Sequence, residues 1–166
     1  MKNRKIPKCV RTDEWPKLVK VIPTDDKIAR IAFLLAYGAG MRVSEVTRCK
    51  PEHFRTNSIF IPESKYGVER IVPIPKGWKA WMNKELPLQR SIRTLQRKFI
   101  KYREKAELPE HYSFHSLRHG FATRLLENGA SINQVQVLVG HSNIATTSIY
   151  TKASPTDAIK SYEDLF

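Results

Sequence analysis

Apolar residues in this chain recur mostly at helical spacing, and the helical stretches stop at glycines. Ile28, Ile31, Ala32 and Leu35 run up to Gly38-Ala39-Gly40, a later stretch ends at the pair Asn128-Gly129, and a third ends at Gly140. Only two runs are short and β-branched, Ser58 to Ile61 and Arg70 to Ile74, and Glu63-Ser64-Lys65-Tyr66-Gly67 between them has turn composition. This pattern predicts α+β: a mostly helical single domain with one small antiparallel β-hairpin sheet. With 166 residues, 41% of them apolar, the chain has material for one ordinary core.

Start signals divide the helical material further. Thr12 is expected to cap a short helix from about Asp13, and Thr24 a second one. Met41-Arg42-Val43-Ser44-Glu45-Val46 reads as a fresh start with Arg42 in the first turn, where backbone N–H groups point outward and favour an anion. Ser91 to Ala106 is amphipathic, with Ile92, Leu95, Phe99 and Ala106 on one face and Arg93, Arg97, Lys101 and Lys105 on the other. Ser113 is expected to cap the helix that begins near His115, Ser131 and Gln134 form a capping box, and Ser142 caps the helix that carries Tyr150. After Tyr150, Ala158, Ile159, Tyr162, Leu165 and Phe166 lie along one side of a tail from Ser154 to Phe166, an amphipathic segment that needs a surface.

Lys and Arg number 29 against 16 Asp and Glu, a formal charge of +13, which points to a polyanionic partner. Nucleic acid fits best, because each neutralised phosphate releases condensed counterions. Arg90 and Lys98 widen the basic stripe of Arg93, Arg97 and Lys101 on the Ser91 to Ala106 helix, which makes this stripe an expected nucleic-acid contact. No stretch approaches the roughly 18 apolar residues of a membrane span, and Met1 to Arg11 lacks the apolar centre of a signal peptide, so a cytoplasmic protein is expected. Cys9 and Cys49 form no Cys-x-x-Cys pair, and no disulfide framework or zinc cluster is expected.

Taken singly, an Arg, Lys or His in a basic chain is an ordinary surface charge and a Tyr on a helix is ordinary packing. As a set they form linked motifs. Phe114-His115-Ser116-Leu117-Arg118-His119-Gly120-Phe121-Ala122, then Leu138-Val139-Gly140-His141-Ser142, then Thr146-Thr147-Ser148-Ile149-Tyr150-Thr151 resemble, in order and spacing, the tyrosine recombinase (phage integrase) family. Gly40-Met41-Arg42-Val43-Ser44-Glu45 resembles the family's first arginine motif, and Ser64 to Pro73 its hairpin lysine followed by an Arg-x-Val-Pro strand. Ser64 and Tyr66 stand where glycines commonly flank that lysine.

The resemblance implies a catalytic domain over 1–153 that cleaves and rejoins DNA through a 3′-phosphotyrosyl bond, without a metal ion, cofactor or ATP. Tyr150 would be the nucleophile. With a phenol pKa near 10, only on the order of 0.1% is ionised at neutral pH, so it needs a proton acceptor, the role of His115. Charge builds on the non-bridging oxygens of the phosphate in the transition state, where Arg42, Arg118 and His141 would meet it. Lys65 would protonate the departing 5′ oxygen, and Glu45 would orient the cations. The family likeness also implies double-stranded DNA as partner, a chain that is monomeric alone and tetrameric on synapsed sites, room for accessory DNA-bending proteins, and a tail from 154 to 166 able to dock on a neighbouring protomer. An N-terminal core-binding domain is expected to be absent, which makes the chain either a fragment or a minimal protein.

Three rivals deserve comparison. His111, His115 and His119 at i, i+4, i+8 could bind zinc on one helix, but a cap at Ser113 leaves His111 outside it. A type IB topoisomerase shares the arginine, lysine and tyrosine logic, yet His115 in the His-x-x-Arg position and the short chain favour the recombinase. A DNA-binding regulator that has lost activity would not need the intact set from Arg42 to Tyr150.

Overall fold

The computed structural model describes residues 8–63, 68–140 and Ile159. Its elements in chain order are α1 (Trp15–Val21), α2 (Lys27–Ala39), α3 (Val43–Arg48), a 3-10 turn (Pro51–His53), β1 (Ser58–Ile61), β2 (Arg70–Pro73), α4 (Ala80–Asn83), α5 (Ile92–Lys105), α6 (His115–Glu127) and α7 (Ile132–Val139). The mostly helical α+β expectation holds, with β1 and β2 forming a two-stranded antiparallel sheet.

Helix α2 is apolar nearly all round, and a helix of that kind belongs inside. It packs against α3, α5 and α6. Phe33 meets Phe99 and Tyr102 of α5 and Phe114 at the start of α6 in edge-on ring contacts with centroids 5.6 to 6.3 Å apart. A second, smaller cluster joins Phe121 and Leu125 of α6 to Val135, Leu138 and Val139 of α7, with Ile159 buried among them. Of the 154–166 tail, only Ile159 lies within the described residues.

Several local expectations need correction. The cap of α2 is Asp26, whose carboxylate accepts from the Ala29 N–H at 3.1 Å, rather than Thr24. Glu14, not Thr12, stands at the start of α1, where it accepts from the Arg11 N–H at 2.9 Å. At Asp26 a carboxylate wins because it answers the helix start, the Lys98 ammonium and the Tyr102 hydroxyl at once, whereas the Glu14 side chain makes no cap bond to α1. Phe114, without a side-chain cap, precedes α6, while Ser113 donates its backbone N–H to the Ser116 hydroxyl at 3.0 Å. The Ser131–Gln134 capping box, the stop at Asn128-Gly129 and the stop at Gly140 are as expected.

On α5 the inward residues are Leu95, Phe99, Tyr102 and Arg103, whereas Ile92 is 38% exposed. Lys98 does not extend the basic stripe: its ammonium pairs with Asp26 at 2.6 Å, and the Tyr102 hydroxyl donates to the same carboxylate oxygen at 2.6 Å. Burial tends to raise the Asp26 carboxyl, but the bonds from Lys98, Tyr102 and Ala29 outweigh it and hold the group below its ordinary value. Asp26→Ala removes a cap and a partner of the buried Tyr102 hydroxyl, so it is expected to lower unfolding free energy by about 2 kcal/mol in a urea titration.

Candidate active site

The first arginine motif follows α2 directly. Gly40 adopts the left-handed conformation (φ 65°), where a side chain would be strained, and a Cβ there would meet the Phe121 ring at 2.5 Å. The turn delivers Arg42 to the N-cap of α3, one position before the first turn in which it was expected. Glu45 reaches back from the third position of α3: its Oε2 accepts the Arg42 backbone N–H at 2.7 Å and its Oε1 accepts from Arg42 Nη1 at 3.1 Å. Arg42 Nη2 donates to the Gly140 carbonyl at 3.0 Å.

Arg118 rises from the first turn of α6 and is 3% exposed. Its Nη1 donates to the Gly40 carbonyl at 2.7 Å and its Nη2 to the Val139 carbonyl. Both acceptors sit at helix C-termini, where carbonyls lack intrahelical partners and carry partial negative charge. Burial, then repulsion from Arg42 and Arg70, push the Arg118 guanidinium down to about 9, with Glu45 opposing the shift; it is still charged at neutral pH. The same field reaches His119, which partial burial and then Arg118 hold below the usual imidazole value.

A third arginine, assigned no role from sequence, completes the cluster. Strand pairing sets Ile61 opposite Arg70, and the period of two points Arg70 to the same inner face as Val72. Its Nη1 and Nη2 bind Glu45 Oε1 and Oε2 at 2.7 and 2.9 Å, and its Nε donates to the Leu138 carbonyl at 2.8 Å. The signal was present in the sequence: an arginine heading a β-branched strand on its buried face needs an acid partner.

Burial would raise the Glu45 carboxyl, but bonds and charge from Arg70, the Arg42 N–H and the charge of Arg118 together hold it below its ordinary value. A free glutamate titrates near 4.3, so ionised Glu45 stabilises the fold above that pH, and the contribution disappears as pH falls through the lower folded value. Thermal melts between about pH 3 and 6 are expected to show the chain losing stability at the acid end, with a flatter profile for Glu45→Gln.

His115 is the first residue of α6 and is exposed, with its ring edge-on to His119 at 4.4 Å. Although one turn from Arg118, it lies in a different setting, on the wall of a cleft of about 430 Å³ that also includes Met41, Val43, Gln96 and Ile100. His111 lies before α6, so the three histidines do not align on one helix. Arg42, Glu45 and Arg118 are thus brought together with Arg70, and His115 stands at the cleft edge. Lys65, His141 and Tyr150, with the expected Ser142 cap, lie outside the described residues. Arg90, Arg93, Arg97 and Lys101 are all exposed, the last three on the outer face of α5. Among the described residues no helix is long and apolar enough to cross a membrane.

Three guanidiniums around a single carboxylate leave a surplus of positive charge among the described residues of the site. The model of the phage integrase family matches residues 8–157, which covers every motif named above. The chain belongs to the phage integrase family. Tyrosine recombinase XerA of Thermococcus onnurineus is 36% identical over 96% of this chain, and the match spans 63% of that relative's length. The chain therefore spans less than two thirds of the XerA relative. Among solved structures, an integrase from mycobacterium phage Brujita superposes with a TM-score of 0.77 at 21% identity, covering all of this chain and 60% of that one. A lambda integrase tetramer bound to a Holliday junction superposes with a TM-score of 0.63 at 23% identity, covering 83% of this chain and 48% of that one. These structural likenesses establish the integrase catalytic fold.

Proposed function

We propose that this member of the phage integrase family is the catalytic domain of a site-specific recombinase that cleaves and rejoins double-stranded DNA through a 3′-phosphotyrosyl bond to Tyr150, without metal or ATP. The observation that carries the reading is the cluster of Arg42, Arg70 and Arg118 around Glu45, which calls for an anion. Among the described residues, the bonds named above use two of the five N–H donors on Arg42 and two on Arg118, leaving donors for phosphate oxygens.

In the reaction the Tyr150 oxygen attacks phosphorus while the bond to the 5′ oxygen breaks. Arg42, Arg118 and His141 stabilise charge on the non-bridging oxygens, His115 takes the phenol proton, and Lys65 protonates the leaving 5′ oxygen. The Arg118 charge that adds to burial in depressing His119 favours the anion of any phenol brought beside it. The phosphotyrosine keeps the energy of the phosphodiester, so attack by another 5′ hydroxyl reverses the step without an external energy source. The outer face of α5, with Arg93, Arg97 and Lys101 exposed, together with Arg90, supports engagement of the DNA groove and backbone. The lambda integrase tetramer on a Holliday junction supports a tetramer on synapsed sites; a cytoplasmic setting and accessory DNA-bending partners belong to the same proposal. Burial of Ile159 in the α6–α7 cluster supports contact of the tail with its own domain at this residue.

A nicked duplex target, which lets the 5′ fragment diffuse away after cleavage, is expected to give an SDS-resistant protein–DNA adduct, equally in EDTA. No adduct on any integrase-type target would reject the reading, and loss of the adduct in EDTA would reject its metal independence.

A further inference from the structure

We propose that Arg70 is a positioning residue for DNA cleavage: it sets the direction of the Arg42 guanidinium through Glu45 and fastens the end of α7 that leads into His141. The inference rests on the recombinase reading above. Arg70 is suited to this and not to binding phosphate itself. Its side chain is 3% exposed, and each of its three nitrogens already donates, Nε to the Leu138 carbonyl and the two terminal nitrogens to Glu45.

Glu45 is shared evenly. Oε1 accepts from Arg70 Nη1 at 2.7 Å and Arg42 Nη1 at 3.1 Å, and Oε2 from Arg70 Nη2 at 2.9 Å and the Arg42 backbone N–H at 2.7 Å. A bidentate fork fixes the plane of a carboxylate, and that plane dictates where Arg42 can point. Rotation of Glu45 about its last bonds, free in a solvated side chain, is thereby removed.

The second tie is at α7. Its last carbonyls are taken in succession by three arginines from three elements: Leu138 by Arg70 of β2, Val139 by Arg118 of α6, and Gly140 by Arg42 at the head of α3. Gly140 is left-handed (φ 63°), and a Cβ there would meet Arg70 Cδ at 2.8 Å and Nε at 3.1 Å, so the Arg70 side chain passes through the space a side chain would fill. His141 is the next residue in the chain, and Arg70 opens β2, five residues after Lys65 in the sequence. One buried side chain thus links β2, Glu45 and the end of α7.

The test measures single-turnover cleavage of a nicked duplex at saturating DNA, and separately the DNA dissociation constant, for the full chain and for Arg70→Lys, Arg70→Gln, Glu45→Gln and Arg42→Lys. Lysine keeps the charge but cannot span both Glu45 oxygens and the Leu138 carbonyl. Arg70→Lys is expected to slow cleavage by about 10²-fold, the loss that accompanies a displacement of about 1 Å in a catalytic group, with DNA affinity unchanged. Combining Arg70→Lys with Arg42→Lys is expected to cost less than the product of the two single losses, since both act through one constellation. Cleavage at the wild-type rate by Arg70→Lys, or losses of cleavage and affinity that both track the folded fraction, would overturn the inference in favour of a purely structural ion pair. If Arg70→Lys and Arg70→Gln fail to fold, Glu45→Gln decides: a slowed cleavage step at unchanged affinity supports the linkage, and a normal rate ends it. An adduct absent from the wild-type chain itself would instead reject the recombinase reading.

Discussion

Tyr150→Phe is expected to eliminate the SDS-resistant adduct on a nicked duplex while leaving DNA binding intact. Phenylalanine preserves the ring and its packing but lacks the oxygen that must form the phosphoester, so no residual covalent product is expected. The structure narrows the alternatives among the chain's 6 tyrosines. Tyr37 is buried and its hydroxyl is pushed upward by that burial. Burial first, then a carboxylate neighbour, push Tyr102 and Tyr112 up to about 12: Tyr102 donates to Asp26 and Tyr112 to Glu14. A phenol that donates to a carboxylate in the interior is a poor nucleophile, because ionisation would set two like charges side by side. That leaves Tyr66, Tyr150 and Tyr162, and the family motif singles out Tyr150. Tyr66→Phe and Tyr162→Phe are therefore expected to retain the adduct; its loss in either, with survival in Tyr150→Phe, would reassign the nucleophile.

Arg118→Ala is expected to slow cleavage by about 10²–10³-fold, the usual cost of removing one donor aimed at developing charge. Its position makes the effect specific. Burial and the neighbouring arginines push it down to about 9, so an incoming phosphate gains from a cation that is poorly solvated and repelled by its surroundings. The same geometry limits what lysine can restore. Arg118 forks between the Gly40 and Val139 carbonyls, two points that an ammonium on a flexible stem does not hold together. Arg118→Lys is thus expected to recover only part of the rate, and near-normal cleavage by Arg118→Ala would remove this residue from the site.

The helical periodicity, the hairpin, the glycine stops and the Ser131–Gln134 box were legible because each depends on neighbours within a few residues. Gly40 and Gly140 stop helices wherever they occur at such ends, and they do so here. The cap of α2 was not legible because Thr24 competes locally with Asp26, and the contest is decided by distant partners, Lys98 and Tyr102. Lys98 was misread for the same reason, since its partner lies 72 residues away in the chain.

For the candidate site, the helix start placed Arg42 at an anion-favouring end, and the family resemblance assigned roles to it and to Glu45, Lys65, His115, Arg118, His141 and Tyr150. By itself the sequence determined which side chains carry charge, which segments are helical, and the order in which the motifs follow one another. Only the tertiary structure decided that Glu45 belongs as much to Arg70 as to Arg42, that Arg118 is buried while His115 lines an open cleft, and that three arginines hold the end of α7. The reason is physical: backbone periodicity is a property of consecutive residues, whereas the partner of a buried charge is chosen by whatever opposite charge or free carbonyl the packed helices bring within about 3 Å of it.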